Sequence, residues 1–454
     1  MAITTNPLAD RRIQTAHLLR RVGFGGTPQE IDQFAAMSHT DAVDKLLTFT
    51  TVGTKGFDMQ NRMQQTNFMP KLNDLQYWWL TTMLHTPNPF QEKMTLFWHG
   101  HFTTAYSKTD YPVLLMEQNE LFRNNALGNF KDLTKAVSRN VAMVYYLDGE
   151  ANHKTKPNEN YARELMELFT IGIGNYTEQD VREAARAFSG WGIKGRAFYF
   201  NPNDHDTGSK TFMGQTGNFG GDEIIDIILK RPESARFIIG ELWNNFVYPN
   251  PEPAVLDNLT KIYFDNNYEL KPVLRAMLTS PEFLSDKAYR ALVKSPTEFI
   301  VGSLRQLNST NISQNAAQQI GKMGQTLFSP PTVKGWDGGI AWFNSSLFFE
   351  RVNGANQLVT GRGQTDHFDP YPLIQVNKLS NGPAVVDYFL GNLMDGQFHP
   401  DMRSALLDYF DPQKNLSAND LTAPTVGKNN NAATDERLRG LVHLILSSPD
   451  YQLK

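Results

Sequence analysis

Apolar residues recur at three- and four-residue intervals through most of the chain, the spacing of one side of an α-helix. This periodicity predicts helices over 10–21, 28–36, 72–84, 110–126, 130–147, 158–172 and 177–188 in the first half. In the second half it predicts 233–247, 253–266, 270–279, 296–307, 313–327 and 434–446. The segment 158–172 is the most fully specified. At about 100° per residue, Tyr161, Leu165, Leu168 and Phe169 share one side, while Glu159, Asn160, Arg163, Glu164 and Glu167 fill the other. Asn158 can cap its start, and Gly172 with Gly174 can stop it. A charged face of this kind is ordinarily a solvated one, laced by weak pairs one turn apart.

The helical rhythm breaks over 193–221, where alternation in Ala197-Phe-Tyr-Phe200 suggests a short strand and the glycine-rich run 204–221 a structured loop. Residues 51–70, 329–342, 360–377 and 415–431 read as further irregular stretches, the last a mobile one. The expected fold is therefore mostly α, a multi-helical globular body with long loops and a minor β element near 195–220. It forms one large domain over 1–454, with candidate sub-domains 1–192 and 222–454 joined by 193–221. One internal echo stands out: Leu278-Thr-Ser-Pro-Glu-Phe283 and Leu446-Ser-Ser-Pro-Asp-Tyr451 each end an apolar helix with the same corner chemistry.

Composition removes several function classes. A net charge of -4 and a pI near 6.2 argue against a nucleic-acid binder, which needs a basic face. The absence of cysteine excludes disulfides, thiolate ligands and cysteine nucleophiles. No window approaches the roughly 20 apolar residues of a membrane span. The opening Met-Ala-Ile-Thr-Thr-Asn-Pro does not read as an export signal, so the expected location is cytoplasmic, or extracytoplasmic or periplasmic if a leader has been removed.

His99-Gly-His101 is the sharpest local signal for chemistry. On an extended segment the two rings share a side and can share a divalent metal, whereas on a helix they lie about 200° apart and cannot. His205, Asp206, Glu159, Glu164 and Glu167 are candidates for completing such a site. Without a metal, Glu159, Glu164 and Glu167 with Arg163 could supply an acid and a base, working with His205 or Asp206 from the loop. Gly208-Ser-Lys-Thr211 lacks the leading glycine of a phosphate-binding loop, leaving Lys210 as a candidate for holding an anionic group. Neither a Gly-x-Ser-x-Gly elbow nor a His-Glu-x-x-His pair occurs. Trp191, Trp336 and Trp342 sit beside glycines in turns, where rings can stack on sugar faces or anchor loops.

Several stretches together resemble the bacterial domain of unknown function 1800 family: His17-Leu-Leu-Arg-Arg-Val-Gly-Phe-Gly25, Phe97-Trp-His-Gly-His-Phe-Thr103, Asn158 to Gly172, Tyr176 to Trp191, His205 to Gly221 and Pro330 to Trp342. The resemblance implies an envelope or secreted protein and a phosphatase- or sulfatase-like partner protein, a hint of extracellular polymer metabolism. The first expectation for function is a hydrolase or lyase acting on a polymer, a polysaccharide above all, through His and carboxylate groups. The others are a non-catalytic cell-envelope scaffold or binding protein, and a His–carboxylate metal oxidoreductase. Burial of the charged face of 158–172 in a cleft would favour the enzyme.

Overall fold

The structure, a computed structural model, describes residues 6–49, 68–360, 368–422 and 432–454. It is mostly helical, with two small two-stranded sheets. Helix starts are strongly encoded. Asp10 Oδ1 accepts the Arg12 and Ile13 amides to open Arg11–Val22, and Thr27 with Glu30 forms a reciprocal capping box on Pro28–Ala35. Pro89, Pro112, Pro232, Pro253 and Pro296 each occupy a first helical position, where their missing N–H costs nothing.

Most predicted helices are present within a residue or two, and the exceptions have local causes. The single helix expected over 130–147 is two, Phe130–Ser138 and Val141–Tyr146, because Asn140 Oδ1 caps a new start on the Ala142 and Met143 amides. The helix expected over 313–327 is only Ala316–Lys322; the backbone turns left-handed at Gly324. A short helix, Tyr371–Val376, lies inside the stretch expected to be irregular at 360–377. Most of the excursion at 51–70 and part of the loop at 415–431 lie outside the described residues. The β element is two hairpins. Strand β1 (Trp191–Lys194) pairs antiparallel with β2 (Ala197–Phe200), Trp191 opposite Phe200, and β3 (Lys210–Phe212) pairs with β4 (Gln215–Gly217).

Burial resolves into two hydrophobic cores. One gathers side chains from residues 16 to 288, on both flanks of the 193–221 segment, including Trp98, Phe130, Phe169 and Trp243. The other is built mainly from Leu72–His85 and the chain beyond 296, including Trp79, Phe299, Phe389 and Tyr451, with Phe24, Leu96, Leu114, Leu115, Met116 and Ala142 joining from the first half. Helix Pro296–Gln306 is buried along its whole length at the centre of the second core. The repeated corner contributes to each core once. Ser280 Oγ accepts the Phe283 amide and Ser448 Oγ the Tyr451 amide, setting Phe283 into the first core and Tyr451 into the second.

Ion pairs cross the seam between the cores. Arg20 on Arg11–Val22 makes a buried bidentate pair with Asp395, which ends Gly382–Met394 (2.8 and 2.5 Å), and Arg305 reaches Glu30 at 2.8 and 3.0 Å. Among the described residues no helix is long and apolar enough to cross a membrane.

Candidate functional site

A cleft of about 600 Å³ runs along this seam. Helix Pro89–His101 supplies one wall, because Lys93, Leu96, Phe97, Gly100 and His101 fall at helical spacings on a single face. Opposite stand Phe237, Glu241, Asn244 and Asn245 of Pro232–Phe246. Glu167 and Leu168 close one side, and Lys334, Trp336, Asp337 and Trp342 the other.

The helix decides the question of the two histidines. His99 and His101 lie in the last turn of Pro89–His101 and their rings diverge. His99 is buried, its Nε2 accepting the Phe328 amide at 3.0 Å, which makes the ring a neutral Nδ1–H tautomer. Burial lowers its pKa to about 3. His101 instead gives Nε2–H to the Phe169 carbonyl at 2.9 Å, leaving the lone pair on Nδ1, and burial lowers its pKa to about 4 against the pull of that carbonyl. The shared metal that an extended segment would have permitted is therefore not framed by this pair. Among the described residues, no three or more His, Asp or Glu side chains gather as a metal-ligand set.

The carbonyl that receives His101 is one of those left unpaired where a helix ends. The predicted helix starts as a short α segment, Asn160–Glu164, and continues as a π-helix, Leu165–Thr170. The last carbonyls of a helix have no partner further along it. Side chains from elsewhere take them: His101 at Phe169, Ser234 Oγ at Thr170 (2.8 Å) and Asn175 Nδ2 at Ile171 (2.9 Å). Glu167, on the π segment, faces the cleft and accepts the Tyr176 hydroxyl at 3.1 Å. Its neighbours divide otherwise. Arg163 pairs outward with Glu159 (3.0 Å) and Glu178 (2.8 Å) in solvent, and Glu164 is half-buried off the cleft, its carboxyl pushed up by burial and by Glu167.

The loop carrying Trp336 is pressed onto the first wall through two glycines. Gly335 has φ +87° and packs against the Gly100 carbonyl with no room for a Cβ. This close approach sets the Trp336 ring 5.6 Å from the His99 ring and on the cleft surface. Trp342 is buried to its edge at the same wall, and its carbonyl accepts Arg351 Nε–H at 3.3 Å.

Charge in the cleft is unevenly satisfied. Glu241 is open to cleft water but hemmed in by protein, so desolvation pushes its carboxyl up while Lys334 partly opposes. On the floor, Lys93 and Lys454 both bond Glu298. Burial would raise that carboxyl, but the two lysines outweigh it and hold it below the usual carboxylate range.

The remaining predicted residues lie elsewhere. His205 Nδ1 bonds the Ser189 carbonyl (2.9 Å) and lines a separate groove of about 290 Å³ with Trp191. Trp191 itself is buried, edge-on to Phe188 and Phe198. Asp206 is pinned by Arg186 (2.7 and 3.2 Å), whose hydrogen bonds lower its pKa despite partial burial. Lys210 is not free to hold a ligand anion: it is buried and its ammonium bonds Asp206 O (2.6 Å), Gly208 O (3.1 Å) and Asn218 Oδ1 (3.4 Å).

Comparison with known sequences places the whole architecture in one group. The family described as Protein of unknown function (DUF1800) matches residues 17–453. The chain belongs to this family. No curated protein and no solved structure matches it. For this DUF1800 chain the cleft therefore has to be read from its own residues. Of those predicted, Glu167, His101, Trp336 and Trp342 line it. Sequence reasoning missed Glu241, Lys93, Glu298 and Lys454. A signal existed for Lys93, a cation on the same helix face as Phe97 and Gly100, where an apolar residue would be expected. Glu298 was disguised as the third residue of a capping box, Ser295-Pro-Thr-Glu298, and serves as both cap and counter-ion.

Proposed function

We propose that the cleft binds and cleaves a polymer, a carbohydrate first of all, as a hydrolase or lyase using carboxylate and histidine groups. One observation carries the reading: the cleft brings the raised carboxyl of Glu241 together with Glu167, His101 and the indoles of Trp336 and Trp342. The partly exposed Trp336 indole can stack on a sugar ring while buried Trp342 backs the wall, and Asn244, Asn245 and Asn250 offer amides that suit hydroxyl groups. In a hydrolysis, Glu241, its carboxyl raised by desolvation, is the group placed to give a proton to the departing glycosidic oxygen. Glu167, oriented by Tyr176, takes the proton from the attacking water, and water is added across the broken bond. His101, with Nε2–H committed to Phe169, offers Nδ1 as an acceptor to a substrate hydroxyl.

The test is a panel of polysaccharides assayed for new reducing ends, with Glu241→Gln, Glu167→Gln and Trp336→Ala alongside the parent. Loss of a general acid or base should lower turnover about 10²-fold or more, and loss of the indole should raise KM. If the parent cleaves no member of the panel but binds one through Trp336, the second reading holds: a cell-envelope binding protein. The solvent-facing ion pairs of Arg163 with Glu159 and Glu178 favour that alternative.

A further inference from the structure

The cleft floor holds two cations against one carboxylate. Lys93 Nζ and Lys454 Nζ both reach the same oxygen, Oε1 of Glu298, while Oε2 accepts the Ser295 amide at 2.7 Å. All three side chains are almost wholly withdrawn from solvent, yet all three line the cleft. The two amines are not equivalent. Lys93 has a second acceptor, the Gly23 carbonyl at 2.9 Å, whereas among the described residues the Lys454 ammonium bonds Glu298 alone. Two buried ammonium groups share one carboxylate oxygen here, so the less supported one is the easier to deprotonate. Burial, then the neighbouring Lys93 and Arg21 charges, bring the Lys454 pKa down to about 7 against the pull of Glu298. An amine desolvated beside another cation is the arrangement that makes lysine a nucleophile at neutral pH.

We propose that Lys454 is a reactive amine that condenses reversibly with an aldehyde or ketone group of a molecule held in the cleft. The neutral Nζ adds to the carbonyl carbon, and its proton passes to the carbonyl oxygen to give a carbinolamine. The Lys93 ammonium, bonded to Glu298 beside Lys454, protonates the carbinolamine hydroxyl, which leaves as water, and neutral Lys93 takes a proton back from the resulting iminium nitrogen. A C=N bond to Lys454 remains, and hydrolysis returns every atom. The inference goes beyond polymer cleavage and does not depend on it.

The full chain is incubated at pH 7 with propanal and sodium cyanoborohydride, and propyl groups on each lysine are tracked over time by peptide mass spectrometry. Lys454 should be modified at least about tenfold faster than Lys261, a highly exposed lysine paired with Asp265. Lys93→Met removes the adjacent cation, so modification of Lys454 at pH 7 should fall several-fold and recover by about pH 9. Lys454→Met, which keeps the Lys93–Glu298 pair, should abolish the fast phase. Modification of Lys454 no faster than Lys261, or a rate unchanged by Lys93→Met, would overturn the proposal, whatever the outcome of the polysaccharide assays.

Discussion

Replacing Gly335 by alanine asks for a methyl group where the Gly100 carbonyl already sits. Two costs add. A non-glycine residue at φ +87° pays about 1–2 kcal/mol of left-handed strain. The new Cβ also overlaps the Gly100 oxygen and stands 3.2 Å from Thr103 Oγ1, and overpacking of this sort costs about 1–3 kcal/mol. Gly100 cannot retreat easily, since it belongs to Pro89–His101 and its carbonyl accepts the Thr103 hydroxyl at 2.9 Å. The sum is about 2–5 kcal/mol. At about 2.1 cal/mol/K of unfolding entropy per residue, 454 residues translate it into a fall in Tm of about 2–5 °C. Gly339→Ala is the matched control, with φ +51° and no atom within 4 Å of its Cβ, so it carries strain without overlap. Differential scanning calorimetry and tryptophan emission of both variants decide the matter: Gly335→Ala should melt lower than Gly339→Ala and shift the emission of Trp336. Equal melting temperatures with unchanged emission would refute the claim that this contact positions the indole.

The charges lead to three more expected outcomes. Glu298→Gln leaves two buried amines without their counter-ion and should destabilise the protein by about 3–5 kcal/mol at pH 7 in urea unfolding. A lysine whose folded pKa lies below its unfolded value of about 10.4 destabilises the fold below that window and ceases to do so above it, so this deficit should shrink by pH 10. An equal deficit at both pH values would sink the assignment. Asp395→Asn strands Arg20 and should likewise cost about 3–5 kcal/mol at pH 7. The parent carboxyl is held below its unfolded pKa of about 3.9 because Arg20 outweighs burial, so its contribution is present above that value and lost as pH falls through the folded one. The gap between parent and variant urea midpoints should accordingly narrow toward pH 3. Arg163→Ala should change stability by less than about 1 kcal/mol and leave any turnover intact; a large loss of activity would return its charged face to the site.

Much of the helical framework was legible because its boundaries are written locally, in Asp10, Thr27, Asn140 and the prolines that open helices. The inward or outward direction of the charged positions was not. The charged arc of 158–172 is uniform as a pattern, yet the π turn after Glu164 separates Glu167, in the cleft, from Arg163, in water. A π turn changes the angular step per residue, so a wheel drawn at 100° misplaces the residues beyond it. Gly100 illustrates the same limit. It left the geometry of His99 and His101 open, and its use is a contact with Gly335, more than two hundred residues away. Lys93, Glu298 and Lys454 meet only because the two cores meet, and no local pattern encodes that encounter.

Because the cleft is lined by residues anchored in both cores, a bound molecule would act as a strap across a joint. A ligand touching both Leu168 and the start of Pro296–Gln306 resists their separation, and mass action turns occupancy into heat resistance: about 2.7 kcal/mol at a hundred times Kd. Melting-temperature shifts can therefore be used to fish for natural ligands among crude chemical libraries without any assumption about a reaction. Gly335→Ala, with its wall displaced, supplies the decoy that separates true occupants from general stabilisers.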